Sequence, residues 1–240
     1  MAITVMQTHN LSKKYGELLV LNGVSLTLRQ GDIYGLVGRN GAGKTTFFKC
    51  VMGLARPTAG TIEIGGGTSL SAARRKIGFM ISPSFFPYLD PKENLEYLRR
   101  FKGIRTKGEV ERLLELVGLA EVRKPFKAFS LGMKQRLGVA GALLGSPEIV
   151  LLDEPANGLD PQGIIDMRAI IKNANTQTGA TFIISSHILS ELDLVATRFG
   201  FIEQGVLLKE ISHADLHENT KETLEEYFIR MIGERNAKNY

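Results

Sequence analysis

The sequence has 240 residues, 43% hydrophobic and 23% charged, a length between one large domain and two small ones and a composition that excludes disordered, collagen-like and coiled-coil chains. No run approaches the roughly eighteen consecutive apolar residues of a membrane span, and Met1–Val5 has neither a basic nor an apolar leader pattern, so the expectation is a chain that neither crosses a membrane nor is exported by itself. A single cysteine, Cys50, excludes an internal disulfide and a cysteine-built zinc site, and fits a reducing compartment. The formal charge of +5 is unevenly spread: residues 61–136 carry 15 basic against 8 acidic side chains, and residues 137–240 carry 8 against 15. The middle segment reads either as a solvated helical face or as a surface facing anionic lipid or an acidic partner.

In chain order, Ile3–Thr8, Leu18–Leu21 and Val24–Leu28 read as strands, with a turn at Gly31-Asp32. The apolar strand Ile33–Val37 runs directly into the glycine-rich stretch from Gly38 to Thr46, and Phe47–Leu54 follows as a helix stopped near Pro57. Residues 60–82 return to short strands, with a tight turn or flexible loop at Gly65-Gly66-Gly67. From about Pro91 to Leu144 the spacing becomes helical, with Leu113, Leu114, Leu116 and Val117 on repeating positions and breaks at Gly103, Gly108 and Gly118. Ile149–Leu152 and Thr181–Ser185 are short, continuously apolar strands of the kind buried on both faces in a parallel sheet, with a helix over Pro161–Ala174 between them. Lys221–Arg235 is amphipathic, and no internal repeat is present.

Gly38 to Thr45 fits G-x-x-x-x-G-K-[ST] at every fixed position and sits between a strand and a helix, the context in which a phosphate-binding loop works. The glycines let backbone N–H groups turn toward phosphate oxygens at the positive end of the following helix. Lys44 places a charge at the β- and γ-phosphates, and Thr45 offers a hydroxyl to Mg²⁺. A second requirement, a carboxylate at the end of a neighbouring apolar strand, is met by Ile149-Val150-Leu151-Leu152-Asp153-Glu154. Asp153 is expected in the metal shell, and Glu154, pointed elsewhere, as the general base for water.

With these motifs on the page the chain resembles the ATP-binding subunits of ABC transporters. Phe129-Ser130-Leu131-Gly132-Met133-Lys134-Gln135-Arg136 looks like that family's signature loop, Asn157-Gly158-Leu159-Asp160 its D-loop, His187 its switch histidine, and Tyr15 the aromatic that stacks on adenine. Motif order and spacing match from about residue 3 to residue 210. The resemblance implies an α/β fold: a P-loop NTPase core, RecA-like, with a mixed sheet flanked by helices, plus an antiparallel β subdomain and a helical subdomain. It implies one ATPase domain, with the core in about 1–88 and 146–210, the helical signature subdomain in about 89–145, and a helical tail over 211–240. The cofactors implied are ATP and Mg²⁺. Tyr15, Gly38, Asn40, Gly41, Ala42, Gly43, Lys44, Thr45 and Thr46 would hold the nucleotide in one subunit, while Ser130, Gly132 and Met133 reach it from a second; Asp160 would couple the two sites. Lys44, Glu154 and His187 are the implied catalytic residues, and Thr45, Asp153 and Ser82 the implied metal residues.

Two departures from the family pattern stand out. Leu131 and Met133 replace its usual glycine and glutamine in the signature, and Ser82 occupies the position where the family generally places a glutamine; with so short a side chain, either coupling through this loop is altered or the contact goes through a water. Within the family, Ile77–Leu95 and the form Ser-Leu-Gly-Met-Lys-Gln-Arg resemble subunits of bacitracin-resistance and lantibiotic-immunity transporters. The implied partners are separate transmembrane permease subunits and a second ATPase subunit, in an ATP-dependent homodimer, with no nucleic acid. The implied location is the cytoplasmic face of a bacterial cell membrane. Phe85, Phe86 and Tyr88 are a candidate docking surface for the permease, with core packing the alternative for Phe85 or Phe86. Two other readings remain: a soluble ABC ATPase not coupled to transport, whose relatives usually carry two ATPase units or a long coiled coil, and a nucleotide-gated subunit with weak turnover.

Overall fold

The computed structural model describes residues 3–67, 74–219 and 222–238. Strand β1 (Thr4–Tyr15) organises an antiparallel sheet, pairing with β2 (Leu18–Val24) and β3 (Thr27–Arg29) along one edge and with β5 (Ala59–Ile64) along the other. The first strand runs seven residues past the expected Thr8, and the expected strand Val24–Leu28 is broken. The break lies where β1 exchanges β2 for β3 as its partner. There the Thr8 hydroxyl donates to the Val24 carbonyl and accepts from the Leu26 N–H, both at 3.0 Å, and Ser25 Oγ accepts from the Asn10 N–H at 2.9 Å. Side-chain hydroxyls thus satisfy the backbone groups that the ladder leaves between two strands.

A six-stranded sheet forms the centre, in the order β10 (Val206–Ser212), β9 (Arg198–Glu203), β4 (Ile33–Val37), β8 (Thr181–Ser186), β7 (Ile149–Asp153), β6 (Ile77–Met80). Its strands are parallel except β10, which hairpins back onto β9. Every residue of β4, β7 and β8 is buried, as their unbroken apolar runs require. Alternate side chains feed two cores. Tyr34, Leu36, Ile149, Leu151 and Ile183 face α1 (Lys44–Val51) and the antiparallel sheet, whereas Ile33, Val37, Val150, Leu152, Phe182 and Ile184 face the other helices.

Helix α1 begins at Lys44, three residues before the expected Phe47, because Gly43 caps it and accepts the Phe47 N–H at 2.8 Å; apolar periodicity marks only its buried part. The helical segment contains α2 (Pro91–Phe101), α3 (Glu109–Leu116) and α4 (Leu131–Leu143), with Gly103, Gly108 and Gly118 at positive φ between them. Helix α5 (Pro161–Thr178) outruns the expected Ala174 and stops at Gly179 in the left-handed conformation. Short helices α6 (Leu189–Asp193) and α7 (His213–Asn219) and the tail helix α8 (Leu224–Lys238) complete the chain; Lys221, the expected start of the tail segment, lies outside the described residues. Gly65-Gly66 form a turn closed by a bridge between Ile64 and Gly67. No helix among the described residues is long and apolar enough to cross a membrane.

The loop between β6 and α2 is tied to the Phe126–Lys127 backbone, whose N–H groups donate to the Leu89 and Pro87 carbonyls at 2.9 Å, and to the first turn of α2. Asp90 and Glu93 form a reciprocal capping box with Pro91 in the first turn. One turn in, Asn94 is 1% exposed; its Oδ1 accepts from the Phe86 N–H at 2.8 Å, and its Nδ2 donates to the carbonyls of Phe86, Leu89 and Asp90 at 3.0–3.2 Å. Asn94→Ala strands these groups, and we expect a loss of about 1–3 kcal/mol in denaturant unfolding; a loss below the error of the fit would show that water replaces the amide. The clamp also sorts the aromatic cluster. Phe85 turns inward onto Phe126, with ring centroids 5.4 Å apart, whereas Phe86 and Tyr88 stay exposed, Phe86 edge-on to Tyr97 at 4.6 Å and Tyr88 beneath the Lys127 ammonium.

Candidate nucleotide site

Three parallel strands end side by side, and the residues just past their carboxyl ends converge, as open α/β sheets dictate. Past β4 the chain makes the loop Gly38–Gly43 and enters α1. Two glycines are required sterically: a Cβ on Gly38 would run into the Ile202 carbonyl, and Gly43, at φ 106°, lies where a Cβ would stand 2.9 Å from both Leu21 Cδ2 and the Val20 carbonyl. The loop is pinned from outside by a bond from the Gly205 N–H to the Ala42 carbonyl at 3.0 Å. It encloses a depression of about 230 Å³ lined by Val20, residues 39–46 and Glu154.

Lys44 is 6% exposed, and its ammonium donates to the Gly38 carbonyl at 2.6 Å and the Arg39 carbonyl at 3.3 Å and pairs with the Glu154 carboxylate, Oε1 lying 3.3 Å away. Thr45 donates its hydroxyl to Asp153 Oδ2 at 2.6 Å. The other carboxylate oxygen of Asp153 accepts from the buried Ser185 hydroxyl at 2.5 Å, and Ser185 Oγ in turn accepts from the Glu154 N–H at 2.9 Å. Ser185 was not singled out by the sequence. Its one signal is register: β7 and β8 pair in parallel with Asp153 opposite Ser185, so a hydroxyl ending an apolar strand falls beside the carboxylate. Glu154 sits at φ 52°, a backbone conformation uncommon for a side chain of its size, and this turns its carboxylate away from Asp153's direction. Glu154 Oε2 lies 2.6 Å from His187 Nδ1 and accepts the His187 N–H at 3.3 Å.

Lys44, Thr45, Asp153, Glu154 and His187, drawn from the segments that follow three neighbouring strands, therefore form one cluster. It pairs a phosphate-sized depression with a carboxylate bracketed by a cation and an imidazole. Thr45 and Asp153 supply only oxygen donors, a set that suits a hard divalent cation such as Mg²⁺.

The remaining expected residues lie elsewhere. Ser130 caps α4 by accepting the Met133 N–H at 3.3 Å, and Asp160 caps α5 by accepting the Gly163 N–H at 3.0 Å. Ser130, Gly132 and Asp160 line a second depression that shares no residue with the first, while the Met133 side chain packs against the apolar core. Tyr15 is exposed at the β1–β2 turn with the Lys13 ammonium 4.6 Å from its ring, outside the lining of the first depression. Ser82 is exposed two residues beyond β6 and lines a third, apolar depression of about 370 Å³ with Phe79, Pro83, Phe86, Tyr97 and Lys102. Burial lowers the pKa of Lys102, which donates to the Gly141 and Leu144 carbonyls at the end of α4.

Comparison with known proteins agrees with this geometry. The family described as ABC transporter matches residues 21–157. The bacitracin transport ATP-binding protein BcrA of Enterococcus faecalis is 43% identical over 226 residues, 92% of this chain and 73% of that protein. The lantibiotic transport ATP-binding protein SrtF of Streptococcus pyogenes is 40% identical over 230 residues, 95% of this chain and 97% of the other. Among solved structures, an ATP-binding subunit of an ABC transporter superposes with a TM-score of 0.82 at 27% identity, covering 95% of this chain and 99% of that one. A dimeric ATP-binding cassette in a post-hydrolysis state, bound to ADP and Pi, gives 0.77 at 26% identity, covering 87% and 98%.

Proposed function

The chain belongs to the ABC transporter family as an ATP-binding subunit that hydrolyses ATP, and from this premise we propose that it powers the expulsion of a peptide antibiotic of the bacitracin or lantibiotic type through separate membrane subunits. The observation that carries the catalytic part is the single cluster of Lys44, Thr45, Asp153, Glu154 and His187 at the carboxyl edge of the sheet. The substrate class rests on the two relatives named for bacitracin and lantibiotic transport.

In this reading the loop N–H groups and the Lys44 ammonium bind the β- and γ-phosphates of ATP. Thr45 and Asp153 would hold Mg²⁺, with Ser82 reaching it through a water; the ion supplies neutralisation of phosphate charge. Glu154 accepts a proton from the attacking water, and His187, hydrogen-bonded to it, orients its carboxylate and contacts the γ-phosphate. The depression of Ser130, Gly132 and Asp160 is the face offered to a second copy, whose phosphate loop it would complete with the N-terminus of α4. Two such copies close on ATP and reopen after hydrolysis, as one ATPase domain each, at the cytoplasmic face of the membrane. The apolar depression behind Phe79, Phe86 and Tyr97 receives a cytoplasmic segment of the permease, which places Ser82 between the sheet edge and the docked partner.

Disruption of the gene in its host is expected to raise sensitivity to a peptide antibiotic, with rescue by the wild-type allele and none by Glu154→Gln. Unchanged sensitivity across bacitracin and lantibiotics would overturn the substrate class and leave the ATPase assignment standing. Ser82→Gln should change stimulation of hydrolysis by the permease severalfold more than basal turnover. If neither rate moved in reconstituted vesicles, this loop would carry no coupling.

A further inference from the structure

Far along the chain from the phosphate loop, the end of α6 and one face of α7 bring together Asp193, His213 and His217. Asp193 Oδ1 lies 2.9 Å from His217 Nε2 and 3.7 Å from His213 Nε2, and the two imidazole rings are 4.3 Å apart between centroids. The three ligand atoms all lie within 4.8 Å of one another, the one such trio among the described residues. The four-residue spacing of the histidines puts both on one helical face, and both turn the same ring nitrogen to the same carboxylate oxygen. The other two histidines are arranged differently, His9 facing Glu63 at 3.8 Å and His187 facing Glu154 at 2.6 Å, each a single ring against a single carboxylate.

We propose that Asp193, His213 and His217 form a binding site for one divalent transition-metal ion of the zinc, cobalt and nickel class. Two imidazole nitrogens and one carboxylate oxygen favour these borderline ions over Mg²⁺, and bond lengths of about 2.0–2.2 Å put ligand atoms roughly 3.3 Å apart, a value the observed 2.9 and 3.7 Å bracket. His217 is exposed, with its Nε2 already turned to Asp193, while the backbone of His213 is fixed by a bond from its N–H to the Thr197 carbonyl at 2.9 Å. Three protein ligands leave one position for water. Asp193 ends a helix that starts two residues after His187 and is anchored by buried Leu189 and Leu192. A bound ion therefore fastens the segment that follows His187 to α7.

The test uses the tag-free full chain, freed of metal by chelator and without nucleotide or Mg²⁺, titrated with Co²⁺ in a calorimeter. One equivalent is expected to bind, with affinity at least about tenfold weaker in His217→Ala and in Asp193→Asn and retained in His187→Ala. Zn²⁺ should raise the unfolding temperature of the wild type but not of His217→Ala, whose metal-free unfolding matches the wild type. In the NMR spectrum, Co²⁺ should broaden the imidazole signals of His213 and His217 and spare that of His9. The proposal is overturned by a wild type that binds no Co²⁺, by undiminished affinity in His217→Ala and Asp193→Asn, or by loss of binding in His187→Ala, which would put the ion on Glu154.

Discussion

Glu154→Gln is expected to bind ATP as the wild type does and to hydrolyse it about 10²–10⁴-fold more slowly, the usual contribution of a positioned general base. The amide keeps the shape of the side chain, so the left-handed backbone at Glu154 and the bond from its N–H to Ser185 survive. What is lost is a negative oxygen lying 2.6 Å from His187 Nδ1, with its twin 3.3 Å from the Lys44 ammonium. An amide neither takes a proton from water nor balances the Lys44 charge. Steady-state phosphate release against fluorescent-nucleotide binding separates the two effects. A variant with wild-type turnover would assign the proton to another group.

Lys44→Ala is expected to act on the other limb, weakening ATP binding by about 10- to 10²-fold, since a hydrogen bond from a charged donor contributes about 1.5–3 kcal/mol and each 1.4 kcal/mol is tenfold in affinity. The ammonium is buried and ties together the Gly38 and Arg39 carbonyls and Glu154, so truncation removes a phosphate ligand and leaves a half-buried carboxylate without its cation. Hydrolysis should fall with it. Equal nucleotide affinity in wild type and variant, measured by calorimetry, would remove the loop from the binding site.

The parts of this site legible in the sequence are those whose spacing is set by local backbone. Gly38 and Gly43 are fixed by close approach to Ile202 and Val20, and Lys44 and Thr45 follow in the first turn of α1, so the motif and its role can be read together. Asp153 and Glu154 are legible because two carboxylates at the end of a continuously apolar strand mark the carboxyl edge of the sheet, where Asp153 ends β7 and Glu154 follows it. Ser185 is invisible in one dimension, since only the parallel register of β7 and β8 brings it to Asp153. The break at Ser25-Leu26 escapes a periodicity argument for a similar reason: the apolar alternation continues through it, and the change of partner along β1 ends the strand. Phe85 and Phe86 are adjacent and chemically identical, yet beside the Asn94 clamp one packs partly buried against the core and the other stays exposed. The trio of Asp193, His213 and His217 spans a whole β-hairpin in sequence and meets only because β9 and β10 return α7 to the end of α6.

The central claim is that two copies of this chain build the ATP site between them, the Ser130 and Asp160 face of one completing the phosphate loop of the other. Size-exclusion chromatography of Glu154→Gln with and without Mg-ATP tests it most directly, because slowed hydrolysis holds the closed state. The account predicts a monomer without nucleotide and a dimer with Mg-ATP, the shift being lost when Ser130→Arg is added. A Glu154→Gln variant that binds ATP with normal affinity and stays monomeric at every protein concentration would contradict it.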